Sequence, residues 1–293
     1  MSRANDLLIT AMAPVIWGST YLITTQYLPA DYPLTVAMLR ALPAGLLLLL
    51  IARKLPNGIW WLKILLLGAL NFAIFWWLLF VSAYRLPGGV AATVGAIQPF
   101  IVILLARVLL GSPIRSLAIL SAIIGLAGIA VLILTPQAAL DPIGILAGFA
   151  GAMSMALGTV LSRRWQPPVS LLTFTSWQLI AGGLLLLPFA MWFEPALPPL
   201  SDKNLLGFIY LGLIGGAVTY LLWFRGLARL EPSSVSTLGF LSPITAVVLG
   251  WLLLEQSLSV LQCAGVAIVF ISVWLSQFAN RPLQIKKSLI TNH

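Results

Sequence analysis

Apolar runs separated by short polar or proline-rich joints fill this chain from end to end. Ten runs stand out, at about 7–28, 34–52, 61–83, 89–110, 115–134, 143–162, 170–192, 205–228, 234–254 and 258–278. A helix needs roughly 20 apolar residues to cross about 30 Å of hydrocarbon, and each run comes close to that length. In lipid, backbone N–H and C=O groups find partners only inside a helix or a closed barrel, so the runs predict helices. The joints carry the expected breakers, among them Pro29, Pro33, Pro56-Asn57-Gly58, Pro87-Gly88-Gly89, Pro113, Pro136, Pro167-Pro168 and Pro232. The pattern predicts an all-α integral membrane protein with ten transmembrane helices.

The second half of the chain repeats the first. From about residue 67 to 128, adding 144 to a residue number brings back similar chemistry. Gly68 meets Gly212, Phe80 meets Phe224, Arg85 meets Arg229, Gly95 meets Gly239 and Pro99 meets Pro243. With an offset of 138 the match reaches the first two runs of each half, where Ala44-Gly45 meets Gly182-Gly183 and Arg40 meets Gln178. The predicted units are 7–134 and 143–278, followed by a basic cytoplasmic tail at 279–293. Five spans per half is an odd number, so the second copy is expected to lie upside down relative to the first.

Composition and charge sharpen this picture. Of 293 residues, 60% are hydrophobic and 8% charged, with mean hydropathy +1.05. Nearly the whole chain is therefore bilayer-sized apolar surface. The net charge of +9 is spread over the joints rather than gathered on one element, which argues against a nucleic-acid partner. With the N-terminus placed in the cytoplasm, inner segments hold thirteen Lys and Arg and outer loops hold two, Arg85 and Lys203. Positive charge concentrates on cytoplasmic loops, so both termini are expected inside a bacterial inner membrane. Residues 7–28 are read as a first span rather than a removed signal peptide. One cysteine, Cys263, and one histidine, His293, leave no disulfide and no Cys- or His-rich metal motif. No cofactor is expected.

Several segments resemble the drug/metabolite transporter superfamily, EamA type. They are Ile16-Trp17-Gly18-Ser19-Thr20-Tyr21, Leu39-Arg40 before Ala44-Gly45, and Ala91-Ala92-Thr93 to Gln98-Pro99. In the second half they are Ala156-Leu157-Gly158-Thr159, Arg229-Leu230-Glu231-Pro232 to Ser242-Pro243, and Leu254-Glu255 before Gly265. The first two spans look similar to the PecM-like branch, which is associated with pigment or metabolite efflux. The resemblance implies a central cavity lined by spans 1, 3, 4, 6, 8 and 9, with spans 5 and 10 more peripheral. Two departures stand out. Gly111-Ser112 replaces the Gly-Glu common at the end of span 4, so only the second copy keeps an acid, Glu255. Met155 stands where the family often has Trp.

Polar groups inside a membrane are costly and so mark candidate sites. Trp17, Ser19, Tyr21, Asn71, Trp76, Gln98, Tyr220 and Ser242 are the candidate substrate contacts. Gly95, Pro99, Gly239 and Pro243 are candidate helix breaks or gating points, because a mid-helix proline frees a carbonyl about four residues earlier. A plain packing kink is the alternative for each. Arg40, the clear cation within a span, either contacts a substrate anion or snorkels and binds freed carbonyls. Glu255 is read as an interfacial carboxylate before a proton carrier. Gly144-x-x-x-Gly148 and Gly212-x-x-x-Gly216 are read as packing positions.

The sequence therefore predicts an inner-membrane transporter, an exporter of small metabolites such as amino acids or amphipathic compounds, working by alternating access. Its expected partners are a small-molecule substrate and membrane lipid, as a monomer or homodimer. An intramembrane enzyme lacks the nucleophile–base pair, aspartate pair or metal cluster at depth that its chemistry needs. A membrane sensor or scaffold without transport is the remaining alternative.

Overall fold

The computed structural model describes residues 2–85, 94–133, 141–253 and 259–280. Among them there is no strand, and eight helices are long and apolar enough to cross a membrane. Two shorter apolar helices, Gln98–Leu110 and Ser116–Leu132, stand at the places of spans 4 and 5. Spans 1 and 2 are Arg3–Tyr27 and Pro33–Ala52, and spans 6 and 7 are Pro142–Arg164 and Leu171–Phe193. Span 10 is Val260–Ala279.

Local chemistry explains where these helices begin. Asp141 accepts from the Gly144 N–H at 2.8 Å, with Pro142 at the first helical position, where a missing N–H costs nothing. Ser170 caps span 7 through the Thr173 N–H, and Ser201–Asn204 and Ser259–Gln262 form reciprocal capping boxes. Span 2 has Tyr32 at its cap, which supplies no side-chain bond. Glu194, at the end of span 7, caps it instead, taking the Leu34 and Thr35 N–H groups at 2.6 and 2.8 Å. Thr93, Glu255, the Pro87-Gly88-Gly89 and Pro136 joints and the basic residues of the tail lie outside the described residues.

Spans 3 and 8 are each interrupted at mid-length. Span 3 runs as Trp60–Gly68, a π-helical stretch Ala69–Ala73, then Ile74–Arg85. Span 8 runs as Asp202–Ile209, a π-helical stretch Tyr210–Val218, then Thr219–Arg229. Shifted by the repeat offset, the first stretch falls inside the second. Such turns displace backbone carbonyls from their usual partners. Span 9 is broken too, into Pro232–Leu238 and Leu241–Leu253, with tight turns around Gly239 and Phe240 between them.

The contacts between spans are reciprocal. Span 2 packs along span 7, and span 5 along span 10. Span 1 packs on spans 8 and 9, and span 6 on spans 3 and 4. Exchanging the two halves returns the 2–7 and 5–10 pairings to themselves and turns those of span 1 into those of span 6, as a two-fold relation between the halves would. Among the described residues, the largest buried cluster joins spans 1, 2, 3, 7, 8 and 9 around Phe72, Trp76, Leu179, Tyr220, Trp223 and Phe224. The outer surface is apolar, with Leu50, Trp192, Val260 and Phe270 exposed by more than half. A bilayer is the medium that covers such a surface without cost.

Candidate functional site

The matched glycines and prolines build a cavity between the two halves. Gln98 and Pro99 open the helix of span 4, just after turns at Ala96 and Ile97. Gly239, Phe240, Ser242 and Pro243 hold the equivalent place in span 9, where the Ser242 N–H bonds the Gly239 carbonyl at 3.1 Å. A Cβ added to Gly95 would meet nothing within 4 Å, so this residue faces open space.

The cavity measures about 410 Å³. That suits a small molecule, since ligand pockets run from roughly 300 to 1,000 Å³. Of the expected residues, Trp17, Gly95, Gln98, Pro99, Gly239, Ser242 and Pro243 line it. Gly18 of span 1, Phe75 and Leu79 of span 3, Ala96 of span 4, Gly148, Gly151 and Ala152 of span 6, and Ser236, Phe240 and Ala246 of span 9 complete the wall. Gly148 therefore both lets span 3 approach, since a Cβ there would sit 2.8 Å from Ser82 Oγ, and leaves room on the cavity side. The wall is largely apolar and aromatic, with Gln98, Ser236 and Ser242 offering hydrogen bonds.

The other expected contacts are engaged elsewhere. Asn71 is fully buried and donates to Gln178 Oε1 at 2.8 Å and Ser162 Oγ at 3.1 Å. Tyr220 is 2% exposed and packs against Phe72, Trp17 and Trp76, with ring centroids 4.6, 5.0 and 6.4 Å away. Ser19 Oγ pairs with the Tyr210 hydroxyl at 2.7 Å. The side chain of Tyr21 lies outside the described residues.

Arg40 donates through Nη2 to the Gly215 carbonyl at 2.7 Å and lies over the Trp76 ring, 5.2 Å from its centroid. Gly215 sits in the π-helical stretch, where the Thr219 N–H bonds Gly216 and Ile214 instead. Its carbonyl is thereby left to three side chains: Arg40, Thr219 Oγ1 at 2.7 Å and Trp17 Nε1 at 3.2 Å. Trp17 also donates to Thr219 Oγ1 at 2.8 Å. Trp17 thus lines the cavity while its indole N–H is held by span 8. No sequence rule marks a π-helical stretch, and the matching one at Ala69–Ala73 contains no glycine.

Among the described residues, no group of three His, Cys, Asp or Glu side chains is placed to hold a metal ion. The chemistry the wall offers is recognition by shape, stacking and neutral hydrogen bonds.

Comparison with known proteins bears on what this site serves. The profile of the EamA-like transporter family matches twice, over residues 6–134 and 142–278. Protein PecM of Dickeya dadantii is 46% identical over 90% of this chain and 90% of its own. The uncharacterized inner membrane transporter YedA of Escherichia coli K12 is 30% identical over 89% of this chain and 87% of its own. A probable amino-acid metabolite efflux pump of the same organism is 25% identical over 96% of this chain and 97% of its own. A crystal structure with 22% identity superposes with a TM-score of 0.83 over 97% of this chain and 100% of that one, which shows a shared fold. Two of these relatives carry transporter or efflux-pump names. The chain belongs to the EamA-like transporter family, in its PecM-like branch.

Proposed function

We propose that the protein exports small metabolites, amino acids or amphipathic compounds, across a bacterial inner membrane by alternating access. The observation that carries this reading is the cavity itself. It lies at the two symmetry-matched helix breaks, Gln98-Pro99 and Ser242-Pro243, where the halves of the bundle meet. Inverted-repeat transporters place the substrate at such a junction, because rocking one half against the other then exposes it to either side. One relative, a probable amino-acid metabolite efflux pump, supports the same reading.

Orientation follows from charge. Arg3, Arg115, Arg163 and Arg229 gather around one mouth of the bundle, together with Asp6 and Glu231. Positive charge favours the cytoplasmic face, so that mouth and both termini belong inside. Arg85 and Asp141 then lie at the periplasmic mouth.

The test is a metabolite comparison of cells lacking and overproducing the protein. The compound that changes most is then measured in proteoliposomes with and without a pH gradient, which reads the coupling directly. Gln98→Ala is expected to lower flux with normal membrane insertion. No flux of any differing compound would leave the sensor or scaffold reading in place.

A further inference from the structure

We propose that two ion pairs at opposite mouths of the bundle are reciprocal locks on the cavity. Asp6 with Arg225 and Arg229 holds one mouth, and Asp141 with Arg85 holds the other. The inference rests on the transport reading and names how that same cavity would be gated.

The two pairs are one joint used twice. Arg85 ends span 3 and Arg229 ends span 8, and they are matched residues 144 positions apart. Each pairs with an acid at the start of the first span of the opposite half: Asp6 in span 1 for Arg229, Asp141 before span 6 for Arg85. The glycine contacts repeat in the same way. Gly226 lies against Thr10 where spans 8 and 1 cross, and Gly148 lies against Ser82 where spans 6 and 3 cross. Both crossings are close enough for a charge at the helix end to decide whether they stay shut.

The joints are in different states. Asp6 Oδ1 is 2.6 Å from Arg225 Nη2 and 3.4 Å from Arg229 Nη1, with the Asp6 side chain only 12% exposed. Asp141 is 3.6 Å from Arg85, and their side chains are 36% and 46% exposed. A short, shielded, hydrogen-bonded pair is stronger than a long pair screened by water. The cavity wall divides the same way. Phe75 and Leu79 of span 3 line the cavity towards the loose pair. Their matched residues in span 8, Thr219 and Trp223, are 0% and 2% exposed, packed beneath Trp17. Further arginines fasten the tight mouth: Arg3 to the Gln277 carbonyl, Arg115 to that of Ala279 and Arg163 to that of Ala228. The tight pair closes one mouth and the loose pair leaves the other half of the framework open. The opposite state reverses both, as expected for a two-state element biased by local contacts.

The experiment needs no substrate. Cys263→Ser removes the single cysteine, and Ala246→Cys then places a thiol on the cavity wall. A charged, membrane-impermeant thiol reagent is applied from each side, in right-side-out and inverted vesicles. Labelling is expected mainly from the Asp141 side. Adding Asp6→Asn should raise labelling from the Asp6 side by about fivefold, the effect of losing a shielded charge-assisted bond. Adding Asp141→Asn should move the ratio the other way by about twofold, since exposed pairs are weak. Arg229→Gln, at the more exposed partner, covers the case in which Asp6→Asn fails to insert. An unchanged ratio in every neutralised variant, in protein that elutes like the parent, overturns the inference. Switched labelling without metabolite flux leaves the locks standing and fails only the transport reading.

Discussion

Arg40 reaches across to the carbonyl of Gly215 at 2.7 Å, and the equivalent position in the other half holds a different bond, Asn71 to Gln178 at 2.8 Å. Residues 40 and 178 match at one offset of the repeat, and residues 71 and 215 at the other. Both bonds join the second span of one half to the π-helical stretch of the other. One half uses a cation and a bare carbonyl, and the other uses two amides. Hydrogen bonds between membrane helices contribute about 0.6 kcal/mol on average and up to about 1.7 kcal/mol. We expect Asn71→Ala and Gln178→Ala each to lower thermal stability in detergent. The double variant should cost less than the sum of the two by a similar amount. A strictly additive cycle would show that the amides do not act as a pair.

Glycines that serve packing and glycines that serve space should respond differently to a methyl group. A Cβ on Gly18 would sit 2.5 Å from Thr245 Cβ and 2.6 Å from the Ser242 carbonyl oxygen, where span 1 crosses span 9. A Cβ on Gly95 would touch nothing within 4 Å. Gly18→Ala should therefore force the crossing apart, with a loss of about 1–3 kcal/mol, the usual cost of overpacking. Gly95→Ala should leave the melting temperature near that of the parent. Equal losses in both variants would contradict the close approach at Gly18.

The order of spans was legible because each helix must be apolar for its full crossing, and prolines mark where it stops. The cavity was partly legible for another reason: Pro99 and Pro243 recur at one offset, so the repeat itself picks them out. Asn71 and Tyr220 show why polarity alone does not place a residue in a cavity. In lipid a polar group needs a partner, and a neighbouring helix supplies one as readily as a substrate does. Gln178 does this for Asn71, while Tyr220 sits within an aromatic cluster. Gly148, Gly151 and Ala152 form much of the wall by having small side chains, and missing volume leaves no chemical mark in a sequence. The π-helical stretches were hidden because an extra residue in a helical turn follows from tertiary contacts rather than residue type.

Filling the cavity should stop transport without unfolding the bundle. Ala246 lines the cavity and is only partly buried, so a larger side chain there has room to enter it. Ala246→Phe adds an aromatic ring to a space of about 410 Å³ that already holds the edges of Trp17, Phe75 and Phe240. We expect flux to fall at least about tenfold, equivalent to about 1.4 kcal/mol, with melting temperature and membrane level close to the parent. Undiminished flux with the ring in place would mean that substrate takes another route through the bundle.

Glu194 makes the last case, because it caps a helix to which it does not belong. Span 7 begins with its own cap, Ser170, while span 2 begins at Tyr32, which gives none. The Glu194 carboxylate covers both the Leu34 and Thr35 N–H groups, and it also places negative charge at the positive end of the helix dipole. Loss of a side-chain cap costs about 1 kcal/mol. The spans concerned, 2 and 7, pack along each other, and Glu194 ties their shared end together with the Tyr32 hydroxyl, which donates to the Ala196 carbonyl at 3.2 Å. Glu194→Ala should lower the melting temperature in detergent, and Glu194→Gln should lose less, since the amide oxygen still accepts one N–H. Glu194→Asp should fall below Glu194→Gln if reach matters more than charge, and above it if charge matters more. A thermal series over the three variants decides between them, and no loss in Glu194→Ala would show that water satisfies these N–H groups equally well.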